Sequence, residues 1–236
     1  IFIMKINKDV RSTVKPLEMD VTSSKNYVYI RSNIREEKDG DIVEYVYDEQ
    51  ILTKDEYNNK KLEEISNKVN NVINTADLSL EEAKNYMVSK MGSICKQVII
   101  DGVDVQLSNG NIEHFSMTTE DQSNISTQVQ FIMAFDLEEA AYHADKEDCR
   151  FYSAEDFLRI SLVTNKHKLE QTTYCNILNN YIRSLNTKEE VLACTYGMEL
   201  PSDKMEYIKN TVYRQINGLI KAIVKKYGSS VVNGLM

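Results

Sequence analysis

The run VIIDGVDVQLSNGNIEHFS, residues 98–116, is where the chain changes character. Upstream of it apolar residues recur at spacings of three and four, and within it they alternate. Val98-Ile99-Ile100, Val103-Asp104-Val105-Gln106-Leu107 and Ile112-Glu113-His114-Phe115-Ser116 are short β-branched or aromatic runs, separated by Asp101-Gly102 and by Ser108-Asn109-Gly110-Asn111. Asp-Gly and Asn-Gly suit hairpin turns, which need positive φ that Gly adopts freely and Asn or Asp tolerates. The spacing predicts a three-stranded antiparallel meander, entered from a helical region that Gly92 ends and left by another helix.

Upstream, Ser79 with Glu82 forms a capping box that opens a helix with Leu80, Ala83, Met87 and Ile94 on one stripe. Thr53 with Glu56 opens an earlier one, carrying Leu62, Ile65, Val69, Val72 and Ala76. Two such amphipathic helices, joined by Asn74-Thr75-Ala76-Asp77, could fold back on each other. Equally, the first could pair with copies of itself as a short coiled coil, although its heptads run short of the three or four repeats that would decide it. Before them, Tyr27-Val28-Tyr29-Ile30-Arg31 and Ile42-Val43-Glu44-Tyr45-Val46-Tyr47 flank Lys38-Asp39-Gly40-Asp41, which predicts a β-hairpin.

Downstream the pattern is helical. Thr119 with Gln122 is expected to cap a helix that turns Ile125, Val129, Ile132 and Phe135 inward, and Tyr142 to Tyr152 is expected to form a small charged hairpin. Ser153 with Asp156 starts a helix with Phe157, Ile160 and Leu162, and Tyr174, Ile177, Leu178, Tyr181 and Leu185 mark another. Thr187 with Glu190 caps a short helix before Gly197 and Pro201. A last amphipathic helix runs from about Asp203 to Tyr227 on Met205, Ile208, Val212, Ile216, Leu219, Ile223 and Tyr227, with Lys225 and Lys226 in its final turn.

The expected class is therefore α+β: an N-terminal β-hairpin region (residues 1–52), an amphipathic helix pair or short coiled coil (53–95), a β-meander with a helical domain (96–201) and a C-terminal amphipathic helix (202–236). The residues expected at interfaces are Tyr29, Tyr45 and Tyr47 of the hairpin, Leu62, Ile65, Val69 and Val72 of the first helix, and Ile208, Val212, Ile216, Leu219 and Ile223 of the last. Tyrosine is favoured at such places because its ring is apolar and its tip polar.

With 236 residues, 42% hydrophobic and 27% charged, and only eight Gly and two Pro, the composition is that of a globular chain and not a low-complexity one. Lys and Arg number 28 against 36 Asp and Glu, a net charge of −8, which argues against a protein that grips phosphate backbones; no nucleic acid partner is expected. No apolar run approaches the roughly 18 to 20 residues of a membrane span, so no membrane insertion is expected. Lys5 interrupts Ile1-Phe2-Ile3-Met4, well short of a signal peptide's apolar region. Either Met4 is the natural start or the chain was trimmed. Cys95, Cys149, Cys175 and Cys194 lie far apart and read as reduced, mostly buried thiols.

Chemical motifs are scarce. There is no Gly-rich phosphate loop followed by Lys, no Gly-x-Ser-x-Gly elbow, no His-Glu-x-x-His helix and no dinucleotide fingerprint. Histidine occurs at 114, 143 and 167 only. Residues Tyr142-His143-Ala144-Asp145-Lys146-Glu147-Asp148-Cys149-Arg150 gather an imidazole, three carboxylates and a thiol, which makes His143, Asp145 and Cys149 candidate metal ligands. The alternative is a charged turn whose carboxylates pair locally with Lys146 and Arg150. Thr118-Thr119-Glu120-Asp121-Gln122 admits two readings, a polar binding loop or a helix start. No catalytic residue and no cofactor is expected.

Two stretches stand out as motifs. One is Tyr27 to Tyr57, with Tyr45-Val46-Tyr47-Asp48-Glu49 leading into Thr53-Lys54-Asp55-Glu56-Tyr57. The other is Val103 to Pro201, through Phe115-Ser116-Met117-Thr118-Thr119-Glu120-Asp121-Gln122, Tyr142-His143-Ala144-Asp145, Cys149-Arg150-Phe151-Tyr152-Ser153-Ala154-Glu155 and Tyr196-Gly197-Met198-Glu199-Leu200-Pro201. Together they resemble a poorly characterised family from phages of Gram-positive bacteria and phage-tail-like bacteriocins. The resemblance leads one to expect Gly after Asp145, where this chain has Lys146. It implies a structural protein of a phage tail or tail-like particle, made in the bacterial cytoplasm and placed at the baseplate or fibre junction. Its partners would be other baseplate subunits, further copies of itself and a receptor-binding fibre. The alternatives are an assembly chaperone absent from the finished particle and a metal-dependent enzyme acting on cell-wall polymer. The resemblance brings no catalytic residues with it.

Overall fold

The computed structural model describes residues 6–21, 23–39, 42–69 and 75–229. The chain is α+β and divides into two compact units, residues 1–64 and 65–236.

The first unit is a four-stranded antiparallel sheet in the order β1-β4-β3-β2, built from β1 (Ile6–Ser12), β2 (Met19–Asp20), β3 (Tyr27–Asp39) and β4 (Ile42–Thr53). The expected hairpin is its centre, registered from Tyr27 opposite Thr53 to Asp39 opposite Ile42. The edge strands β1 and β2 escape sequence reading, because neither carries an alternating apolar pattern of its own. Both long pairings are broken by bulges, between Asn7 and Val10 and between Ser32 and Arg35, where Asp9 and Asn33 take left-handed φ. Asp48, buried on β4 between them, holds both: it accepts from Lys8 Nζ at 2.9 Å, Asn33 Nδ2 at 2.7 Å and the Asp9 amide at 3.4 Å. These donors hold its carboxyl below the usual range, Lys8 contributing most.

Tyr47 is a correction to the interface expectation. It is buried, and the Arg31 guanidinium sits 5.6 Å from its ring and 5.3 Å from that of Tyr29 while pairing with Glu49 at 2.9 Å. Tyr45 is half-buried. The Thr53 and Glu56 box caps α1 (Lys54–Val69) as expected, with Glu56 Oε2 accepting from the Thr53 amide at 2.8 Å.

The second unit holds α2 (Leu80–Asp101), β5 (Val103–Gln106), β6 (Ile112–Phe115), α3 (Thr119–Phe135), β7 (Glu139–Tyr142), β8 (Arg150–Ser153), α4 (Ala154–Ser184), α5 (Lys188–Ala193) and α6 (Ser202–Tyr227). The meander is corrected to a two-stranded hairpin, β5–β6. Val98-Ile99-Ile100 is the last turn of α2, which passes through Gly92, since Met91, Ile94, Cys95 and Ile99 continue the buried stripe of Ala83 and Met87. One interior Gly costs about 1 kcal/mol, which burial of that stripe exceeds. Asp101-Gly102 is a helix end: Gly102 has φ 78° and its amide donates to the Ile99 carbonyl at 3.0 Å. The cap of α3 lies one residue earlier than expected, Thr118 with Asp121, and Phe135 is 69% exposed, not inward. The two helices expected over 153–185 are the single α4.

One core gathers Ile65, Ala83, Met87, Met91 and Ile94 with Leu162, Leu178 and Ile182 of α4, Val191 of α5 and Ile208, Val212 and Ile216 of α6. Residues expected at subunit contacts, Ile65, Ile208, Val212 and Ile216, are thus interior to the chain, and α2, α4, α5 and α6 share this core within one compact unit. Ile223 packs half-buried on the same core, while Leu219 is exposed because a period of 3.6 carries the buried stripe to Ile220. Leu62 is half-buried. The Val69 side chain and Val72 lie outside the described residues, as do the residues that would decide between a folded-back pair and an intermolecular coiled coil.

Gly102 is the position where side-chain absence matters most, since a Cβ there would collide with the Phe115 carbonyl oxygen. Gly102→Ala is expected to lower stability by about 2 kcal/mol or more through strain and displacement of β6. Gly218→Ala, in an exposed interior turn of α6 with nothing within 4 Å, is expected to raise it by up to about 1 kcal/mol. Urea unfolding of both variants beside the parent chain checks the opposite signs.

Candidate functional site

The motif segments 115–122, 142–145 and 149–155, distant in sequence, meet at one corner of the second unit. Its base is aromatic: the Phe115 ring stacks on Tyr142 at 6.3 Å and meets Tyr152 edge-on at 6.0 Å, and Phe157 at the start of α4 meets Tyr142 edge-on at 5.6 Å. Val105, Ile125, Ile132, Ala140 and Ile160 complete this core. β6, β7 and β8 place Phe115, Tyr142 and Tyr152 on the buried face, with Phe151 of β8 on the exposed one, and the two hydroxyl tips emerge at a polar rim.

On that rim each hydroxyl finds a carboxylate. Tyr152 donates to Glu113 at 2.8 Å, and Tyr142 to Asp121 at 3.4 Å. Arg150 pairs with Glu113 and lies 4.2 Å over the Tyr152 ring. Burial first, then the neighbouring carboxylate, pushes both phenols up, Tyr152 to about 12, so both act as fixed donors near neutral pH. Asp121 also caps α3, accepting from the Thr118 amide at 2.9 Å and from its hydroxyl at 2.7 Å. Of the two readings of Thr118-Thr119-Glu120-Asp121-Gln122, the structure realises the helix start.

Of the three candidate metal ligands, Asp145 turns away from the other two toward β6: its carboxylate accepts from the Ser116 amide at 3.0 Å, and its own amide donates to the His114 carbonyl at 2.9 Å. His143 is exposed and stacks on Tyr142 at 5.4 Å, and Cys149 is exposed. Among the described residues no group of three or more His, Cys, Asp or Glu side chains is placed to hold a metal ion. Lys146, where the resemblance leads one to expect Gly, has φ 65°, and the Glu147 amide donates to the Ala144 carbonyl at 3.1 Å. The turn therefore has the left-handed geometry that Gly favours, held here by a lysine at a conformational cost.

His114 was not singled out by its sequence neighbourhood, yet it is the most constrained imidazole. Nδ1 lies 2.6 Å from an Asp104 carboxylate oxygen, Nε2 lies 2.6 Å from the Asp101 carbonyl, and Asp145 stands 4.0 Å from Nε2. Both near partners are acceptors, so both ring nitrogens must carry hydrogen, which is the imidazolium. Its pKa is accordingly raised, first by the Asp104 hydrogen bond, against burial, and then by the Asp101 carbonyl and the two carboxylate charges. A signal existed in the sequence: a hairpin closed over residues 107–111 sets Asp104 directly across from His114.

A cleft of about 370 Å³ opens between α2, the start of α3 and α4, with Lys96, Gln122, Lys168 and Thr172 among its walls and Cys95 and Cys175 lining it. No protein-family model, curated protein or solved structure matches the chain.

A group whose pKa is raised on folding stabilises the fold fully below its unfolded value, about 6.5 for His, and loses that contribution as pH rises through the folded value. His114→Asn is therefore expected to lower the urea midpoint more at pH 5.5 than at pH 9. Equal losses at both pH values would contradict the imidazolium assignment. Lys146→Gly is expected to raise stability by up to about 1 kcal/mol, relief of left-handed strain outweighing the added freedom of the unfolded chain, as read by the same unfolding titration.

Proposed function

We propose that the chain is a structural component of a phage tail or phage-tail-like particle, at the baseplate or fibre attachment region, working through protein–protein assembly. The motif resemblance motivates this reading, and the distribution of apolar side chains is the observation that supports it. The first unit buries Val28, Val46, Tyr47 and Leu52 but exposes Ile6, Val14, Leu17, Met19, Tyr27 and Ile51. The second exposes Phe131, Met133, Phe135 and Leu137 around the end of α3, with the two phenylalanine rings 6.1 Å apart. Clustered exposed apolar groups suit surfaces covered by a partner. The polar groups of the motif corner, for their part, are engaged in capping helices and holding turns.

Mass spectrometry of purified particles tests the reading. The chain is expected among the particle proteins at fixed stoichiometry, and Phe131→Ser with Phe135→Ser is expected to reduce its incorporation while leaving the circular dichroism spectrum unchanged. Presence in the producing cells but absence from finished particles would overturn the structural role in favour of an assembly chaperone.

A further inference from the structure

Two of the four cysteines face each other across the packing of α2 on α4. Cys95 Sγ lies 3.4 Å from the carbonyl oxygen of Gln171, one turn before Cys175, and Cys175 Sγ lies 3.8 Å from that of Met91, one turn before Cys95. Helical side chains lean over the turn that precedes them, so each sulfur occupies the space the other's side chain covers. That reciprocal placement puts the two residues directly opposite at the helix crossing, the arrangement from which a disulfide closes. Both are almost fully buried, at 7% and 5% exposure, yet both line the cleft, which gives a small molecule access to the sulfurs. Lys96 and Lys168 on its walls provide positive charge for a carboxylate, and Ile99 provides an apolar surface.

We propose that Cys95 and Cys175 are a dithiol pair that a small, carboxylate-bearing disulfide oxidises to an intramolecular disulfide bond joining α2 to α4. Cys95 is the attacking group. The neighbouring Cys175 side chain eases its ionisation against the effect of burial, while that same pairing and burial hold the Cys175 thiol up. In the first step the Cys95 thiolate attacks one sulfur of the small disulfide; a new S–S bond forms, the old one breaks, and one thiol leaves with the proton that Cys95 gave up. In the second, Cys175 loses its proton and attacks Cys95 Sγ, expelling the other thiol. Two cysteines are oxidised and one disulfide is reduced to two thiols, with no other reactant.

The test uses the full chain, fully reduced, treated with oxidised glutathione, alkylated after denaturation and digested without reductant. Exposed Cys149 serves as an internal control, since it has access to the reagent. The expected result is a Cys95–Cys175 linked peptide formed stoichiometrically in the monomer, reversed by dithiothreitol, while Cys149 carries a single glutathione. Cys175→Ser is expected to trap glutathione on Cys95, and Cys95→Ser to leave Cys175 unmodified. Cys149 modified while Cys95 and Cys175 both remain open to alkylation would overturn the proposal, and so would stable glutathione on Cys95 or Cys175 of the parent chain. The parent peptide map decides the matter even if a serine variant fails to fold.

Discussion

The second unit depends on the burial of one long helix. α4 has 31 residues and serves every core around it: Phe157 and Ile160 enter the aromatic core, Leu162, Leu178 and Ile182 the large helical core, and Cys175 the small cluster with Cys95, Ile99 and Met117. A helix of that length spans roughly 45 Å and is stabilised far more by what it buries than by propensity. Its polar positions follow suit. Buried Thr164 turns its hydroxyl back to the Ile160 carbonyl at 2.8 Å, leaving its methyl group to pack. With α4 in place, α2, α3 and α6 each need only one apolar face, and the two small hairpins need only to close over the aromatic end.

In the first unit the organising group is a single buried carboxylate. Asp48 stands in the central strand where an apolar residue would ordinarily serve the sheet better, and it is satisfied because two bulges bring Lys8, Asn33 and the Asp9 amide to it. The bulges and the carboxylate require each other: without the donors the charge would be costly to bury, and without the charge the left-handed Asp9 and Asn33 would have little to hold them. Arg31, stacked between Tyr29 and Tyr47 and paired with Glu49, makes the same trade one register step away.

The motif corner gives physical meaning to residues that sequence resemblance marks only as a pattern. Phe115, Tyr142 and Tyr152 are its aromatic base, Glu113 and Asp121 receive the two hydroxyls, and Asp145 ties the turn after β7 to β6. Packing and hydrogen bonding alone make such a corner restrict sequence strongly, because each polar group completes another's hydrogen bonding in a half-buried setting. The imidazolium of His114, between Asp104 and the end of α2, belongs to the same scheme: it closes a helix end onto a hairpin.

Local patterns were enough to determine the α+β class, the central hairpin of the first sheet, the boxes at Thr53, Ser79 and Thr187, the start of α4 and the span of α6, because caps, turns and helical stripes act over four residues or fewer. The tertiary structure alone decided the rest. Val98-Ile99-Ile100 reads equally as strand or helix, and the stripe it shares with Met87 and Ile94 against α4 made it helix. The face of α6 reads equally as a docking surface or a core face, and only the presence of α4 beneath Ile208, Val212 and Ile216 made it core. Asp145 read as a possible metal ligand among its neighbours, until the approach of β6 supplied an amide for it. In each case the deciding partner lies tens of residues away, and an apolar stripe or a carboxylate specifies that it must be satisfied, not by what.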